Sequence, residues 1–339
     1  MAGADIEGDT VRDLRVLYLG KNDQYRLNQG SKYLRDELKK ICQVDEYGFG
    51  WEHPKLPSRR KGIVTNLVKL ENIFKPDVIL IFSMKKRIWH NAPKIKAPVA
   101  IIITDPHGVR EVRLNWINDD KIHMTLFKYI GGWDWWSERL FNGHRQRWLP
   151  HLCETRVFKE RGLDRAYDFA LIGRNHKSTY PLRYKIYRWL GYASPKQPNP
   201  RYKVFYKKRH KRSWGWTPRK REAVGVILGD EYAEAISKCR FFPTGCSVYN
   251  YALTKLFEVM GTGTVLALDE PAGASKLGFI RDYNYIHITP ENFEEKLIYY
   301  YENYAEAQKI AARARQLMVE RHSAEIRAKE LLRYLEELF

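Results

Sequence analysis

Short apolar runs punctuate this chain, and their length decides what it can fold into. Residues 15–19 (R-V-L-Y-L), 78–82 (V-I-L-I-F), 98–103 (P-V-A-I-I-I), 167–172 (Y-D-F-A-L-I) and 264–268 (T-V-L-A-L) are each the size of a β-strand. None approaches the ~20 apolar residues of a membrane-spanning helix. Helical spacing fills the intervals. Tyr33, Leu34, Leu38 and Ile41 share a face after Ser31, a good N-cap residue, residues 63–74 read as a second helix, and residues 180–191 as a third that stops at Gly191. Residues 124–127, 147–149 and 224–228 are further strand candidates. Strands alternating with helices predict parallel, doubly wound α/β sheets. At 339 residues the chain predicts two such domains of about 150 residues each. Ligands of these sheets sit beyond the carboxyl ends of the strands, which puts Gly20, Lys21 and Asn22, and the 105–108 turn, on the functional rim.

Composition narrows the class. Hydrophobic residues make up 44% of the chain, enough for two cores and too many for a disordered protein. Residues 1–13 open with a polar, acidic stretch that reads as a flexible leader rather than a secretory signal. Cys42, Cys153, Cys239 and Cys246 are scattered without metal-ligand spacing, as expected of reduced thiols in the cytoplasm. The net charge of +19 implies an anionic partner, whether nucleotide, nucleic acid, membrane surface or acidic glycan. Residues 196–221 concentrate that charge, with eleven Lys and Arg and no acid. Lys207, Lys208, Arg209 and Arg212, with Trp214 and Trp216 interleaved, make a candidate polyanion clamp in which cations meet phosphates and rings stack. A solvated loop of a basic protein explains the same residues equally well.

The sequence T-K-L-F-E-V-M-G-T-G-T-V-L at 254–266 carries the chemistry. Leu256, Phe257 and Met260 line one helical face, Gly261 and Gly263 end the helix, and a buried strand follows. Glu258 stands among these apolar residues, so its carboxylate either faces solvent or waits for donors that arrive with a ligand. The stretch resembles the nucleotide-sugar half-site of GT-B glycosyltransferases, in which a Glu at this place holds the donor ribose hydroxyls. Residues 148–158 (W-L-P-H-L-C-E-T-R-V-F) resemble the segment that crosses between the two GT-B domains, with Glu154 where Asp is usual. The pair Y-D-F-A-L-I-G at 167–173 and R-Y-K-I-Y-R-W-L at 183–190 is similar to the CgeB-like, spore-maturation-type branch of the group 1 (GT4-like) enzymes. Residues 231–242 and 303–327 resemble later motifs of the same branch.

The resemblance implies a GT-B fold of two Rossmann-like domains facing across a cleft. Residues 14–158 would form the acceptor-side domain and 164–322 the donor domain, with 196–221 as a basic insertion. Residues 323–339 would form a helix that crosses back to the first domain through Leu331, Leu332 and Leu335. It implies sugar transfer from a nucleotide-diphosphate sugar, UDP-sugar foremost, to an unidentified acceptor, without metal or other cofactor and leaning towards retention. Glu258 would hold the ribose. Lys255, Arg174 and Lys177 would neutralise the diphosphate as charge builds on it. Gly173, Tyr249, Asn250 and Thr254 would complete the donor site with backbone donors and the helix N-terminus. Asn250 stands where relatives carry a second acid. Asp105 and His107 are the candidate catalytic groups, as general base or as sugar-binding residues. Two other readings stand beside this one. A nucleic-acid acceptor, such as a modified DNA base, would use the basic segment on the same fold. A non-catalytic nucleic-acid-binding protein on a degenerate transferase fold would abandon the chemistry.

Overall fold

A computed structural model describes residues 13–21, 29–51, 53, 56, 65–82, 89–108, 110–131, 133–192, 199–208 and 226–339. The first half alternates β1 (Arg15–Lys21), α1 (Gly30–Leu38), β2 (Gln43–Phe49), β3 (Thr65–Asn66), α2 (Leu67–Phe74), β4 (Val78–Phe82), β5 (Trp89–His90), β6 (Val99–Ile103), α3 (Arg110–Asp119), β7 (Met124–Phe127), α4 (Trp133–Ser137) and β8 (Arg145–Trp148). Six of these strands pair in the order β2-β1-β4-β6-β7-β8, all parallel. The strand order reverses between β1 and β4.

The second half contains β9 (Tyr167–Gly173), α5 (Pro181–Trp189), β10 (Val204–Lys208), α6 (Gly229–Ser237), β11 (Cys239–Pro243), α7 (Thr254–Gly261), β12 (Val265–Leu268), α8 (Ala274–Leu277), β13 (Ile286–His287), α9 (Phe293–Glu302), α10 (Tyr304–Arg321) and α11 (Ala324–Glu336). Its sheet, β10-β9-β11-β12-β13, is parallel throughout and reverses order between β9 and β11. Two doubly wound domains thus follow one another, each with a switch point where crevices form.

Central strands are buried along their length, as strands covered by helices on both faces must be. Val78, Ile79, Leu80 and Ile81 are at most 1% exposed. The halves also share a core. One apolar cluster runs from Leu34 and Leu126 through Leu152, Cys153 and Phe158 to Leu256, Phe257 and Leu335. The last helix, α11, crosses back and packs against α1 with Leu331, Leu332 and Leu335 buried. Ser323 caps it, accepting from Ile326 N, and a short parallel bridge joins Ser323 to Cys153 of the crossing segment.

Four local expectations shift. Ser31 lies inside α1, whose N-cap is Gln29, and its hydroxyl finds no partner. The second helix starts at Leu67, because Thr65 and Asn66 pair with Trp89 and His90 and the Asn66 side chain then accepts from Val68 N. Residues 226–228 form no strand; Leu228 is extended and leads directly into α6. Residues 161–165, expected from the sequence as the linker between the domains, end on an anchored side chain, since the Arg165 guanidinium donates to the carbonyls of Ser237 and Cys239 and to the Thr264 hydroxyl.

Candidate active site

The switch point of the second sheet is built by the ends of β9 and β11, and one buried arginine fixes both. Arg183 of α5 donates from Nε to Thr244 Oγ1 at 3.0 Å, from Nη1 to the Arg174 carbonyl at 2.8 Å and from Nη2 to the Gly245 carbonyl at 2.9 Å. Its plane lies over the Tyr180 ring. Charged hydrogen bonds of this kind are worth about 1.5–3 kcal/mol each, so the two loops that border the crevice are set by a single side chain. Gly173 ends β9 with φ of 114°, and a Cβ there would meet Lys255 Nζ at 2.9 Å. Only glycine gives both that backbone and that space. The Lys255 ammonium lies beside it, donating to the Ile172 carbonyl at 2.8 Å.

Helix α7 presents the other wall. Leu256, Phe257, Val259 and Met260 are completely buried, each such side chain contributing about 1.5–3 kcal/mol of transfer free energy. Glu258 leaves this apolar face into the crevice. Among the described residues no group donates a hydrogen bond to its carboxylate. Burial pushes its pKa up to about 7, only partly offset by the Lys255 charge. The Tyr33 and Tyr232 phenols and the Cys153 thiol are pushed up in turn, by burial first and then by the Glu258 charge. Tyr33 belongs to the first domain, so the carboxylate sits where the two halves meet. Glu258 is half-buried, so its carboxylate is open to a ligand, and a carboxylate seated among apolar side chains favours one that brings donors to it.

The first residue of α7 is tied down by the crossing segment. Thr254 Oγ1 lies 2.9 Å from Nδ1 of His151, a buried imidazole that desolvation and the nearby Lys128 keep neutral. The loop before α7 closes onto the first domain through rings. Tyr249 stacks on His107 at 3.8 Å, Tyr251 stacks on Tyr129 at 4.1 Å, and the Tyr251 hydroxyl lies 3.1 Å from His107 Nδ1. Asp105 occupies the same corner, where its backbone carbonyl accepts from Arg113 at 2.6 Å. Its carboxylate raises the pKa of the Tyr129 and Tyr251 phenols, next after burial itself.

Residues 165–333 match the family model described as glycosyl transferase-like. The sucrose-phosphate synthase of Thermosynechococcus elongatus superposes with a TM-score of 0.66 at 12% identity, over 96% of this chain and 99% of that one. Anabaena HepE in complex with UDP and glucose gives 0.63 at 10% identity, over 96% and 100%. This chain has the GT-B fold. A glycosyltransferase from Rickettsia africae gives 0.59 at 10% identity, over 96% and 98%. A comparison with curated protein sequences returned no match.

In this GT-B frame Glu258, Lys255, Gly173 and Thr254 gather at the switch point of the second domain. Arg174 and Lys177 follow β9 with exposed side chains, and Asn250 is exposed in a left-handed turn with φ of 50°. Tyr249, Asp105 and His107 meet at a neighbouring corner across the domain boundary. Gly20 and Lys21 end β1 on the rim of the first sheet, and Asn22 lies outside the described residues. Lys207 and Lys208 close the edge strand β10, in register with Ile172 and Gly173. Arg209, Arg212, Trp214 and Trp216 lie outside the described residues. Among the described residues no three His, Cys, Asp or Glu side chains converge as metal ligands do, and no helix is long and apolar enough to cross a membrane. Sequence reasoning passed over Arg183, His151, Tyr129 and Tyr251. Arg183 opens the R-Y-K-I-Y-R-W-L motif and His151 follows Pro150 in the crossing motif, so both stood in quoted stretches without a role.

Proposed function

We propose that the protein transfers a sugar from a nucleoside-diphosphate sugar to an acceptor hydroxyl held on the first domain. The observation that carries this reading is the donor-less Glu258 carboxylate beside Lys255 at the switch point, a pairing that suits a ribose diol next to a diphosphate. Lys255 stands at the end of β9 with Arg174 and Lys177 beyond it, where negative charge develops as the bond from the sugar C1 to the phosphate oxygen breaks. The acceptor oxygen then bonds to C1 and gives up its proton. Asp105 and His107, at the neighbouring corner of the first domain, are the candidate groups for this event, as base or as sugar ligands. UDP-glucose is the favoured donor type, because HepE of the same fold is seen with UDP and with UDP-glucose. The CgeB-like branch belongs to the same reading on the motifs at 167–173 and 183–190, and a metal-independent reaction and retention of configuration go with it as the GT-B resemblance implies.

Titration calorimetry with UDP, GDP, ADP, TDP and CDP tests the proposal. One nucleotide should bind with micromolar affinity, and Glu258→Ala should weaken it by at least about tenfold, or about 1.4 kcal/mol. A folded protein that binds none of the five would sink the transferase reading.

A further inference from the structure

The crossing segment, α8 and the last two helices border an open cavity of about 420 Å³. It shares no lining residue with the switch point. Trp148 of the crossing segment and Tyr334 of α11 form aromatic walls, and Lys276, Arg321, Arg327 and Arg333 supply four cations. Glu330 is the one carboxylate in the lining.

The charges at the floor do not balance. Arg327 is 4% exposed. Its Nη1 reaches Glu330 and its Nη2 donates to His322 Nδ1 at 2.9 Å, while its Nε–H meets no acceptor among the described residues. His322 Nε2 lies 2.8 Å from the Leu277 carbonyl, so Nε2 carries the proton, Nδ1 accepts, and the ring is neutral. Burial and Arg327 accordingly push its pKa down to about 4. Glu330 also accepts from the Tyr334 hydroxyl at 2.8 Å. The Trp148 indole N–H is a second buried donor with no acceptor among the described residues. Behind them lies Lys128, 5% exposed, with its ammonium 3.4 Å from the Pro150 carbonyl. Burial and the Arg327 charge bring its pKa down to about 7. Two buried cations thus share one carboxylate, and unbalanced buried charge is costly until an anion arrives.

We propose that this cavity binds a small phosphorylated molecule, a phosphate monoester or diphosphate of about sugar size, at a site separate from the donor crevice. The volume lies within the roughly 300–1,000 Å³ of small-molecule pockets. The exposed Lys276, Arg321 and Arg333 gather the anion at the mouth, and the buried positive charge of Arg327 lies beneath it. The two rings cover the carbon part of the ligand. The site communicates with the donor crevice by a short path. Pro150, in its lining, adjoins His151, which holds Thr254 at the start of the helix bearing Lys255 and Glu258. An occupant that fixes the crossing segment therefore changes donor affinity, and the donor changes the occupant's affinity by the same factor.

Calorimetry with pyrophosphate and with glucose 6-phosphate tests this on the full chain, in the wild type, in Lys276→Ala/Arg333→Ala and in Lys255→Ala. Both rim residues are exposed, and a thermal melt checks that their variant is folded. At least one probe should bind saturably to the wild type, about tenfold more weakly to the rim variant, and unchanged to Lys255→Ala. Equal binding by rim variant and wild type, or no saturable binding at all, overturns the proposal. Neither result touches the nucleotide reading, whose probe and residues differ. Sedimentation with phosphatidylcholine vesicles containing phosphatidylglycerol separates the two sources of phosphate. Vesicle binding that the rim variant loses, without uptake of either soluble probe, would assign the cations to a lipid headgroup and overturn the small-molecule assignment.

Discussion

Glu258 is a carboxylate raised to about 7 by its surroundings, and a ribose diol that donates to both of its oxygens favours the ionised form. Binding therefore favours loss of the proton. Below about pH 7 nucleotide binding should release a proton, and affinity should rise with pH through that value and then level. Calorimetry in two buffers of different ionisation enthalpy at about pH 6 checks the proton count. Glu258→Gln isolates the effect from the nucleotide's own phosphate titration, and an unchanged proton release in that variant would remove Glu258 from the site. The apolar face of the helix and the exceptional acid on it were both readable in the sequence, because helical spacing gives the first and residue type the second. The phenols that surround it were not. Tyr33 and Tyr232 come from elements far apart in the chain, and no periodicity brings them together.

Helix α7 illustrates how an element can be legible for the wrong reason. Gly261 looks like a helix breaker, yet it is the last residue of the helix. A Cβ there would lie 2.4 Å from Cys153 Sγ and 2.6 Å from the Phe158 carbonyl. Its smallness lets the helix press against the crossing segment. Gly261→Ala should therefore destabilise the fold by about 1–3 kcal/mol through overpacking, although alanine is the better helix former. Chemical denaturation measures this, and a neutral or stabilising effect would contradict the contact. The alternation of strands and helices, the break between domains and the returning last helix were legible because burial on both faces leaves continuous apolar runs. The caps and short ladders were not, since Asn66 and Gln29 take their roles from hydrogen bonds decided by neighbouring strands and turns. Arg183 was invisible as a staple for the same reason: its partners are main-chain carbonyls and one hydroxyl, which carry no sequence signature.

Across the whole molecule, buried neutral imidazoles set the acid response. His144 and His322 are held at about 4 and His151 well below its ordinary 6.5, in each case by desolvation first. Unfolded histidines bind protons near 6.5 that the native ones refuse, so stability falls as pH drops below that value. Glu258 acts oppositely between about 4.5 and 7, because the native carboxyl binds its proton more tightly than the unfolded one. Asp269, also raised by burial, acts with Glu258, while His123 and His287 are lowered and act with the other imidazoles, so five imidazoles outweigh two carboxyls. The melting temperature should be several degrees lower at about pH 5 than at about pH 7.5, by scanning calorimetry at both, and a flat or inverted profile would contradict their burial. The returning helix has a further consequence during synthesis. Domains tend to fold in the order in which they leave the ribosome, but α1 of the first domain lacks its apolar cover until residues 324–336 have emerged. The domain translated first is the one completed last, and until then its bare helix is open to a chaperone.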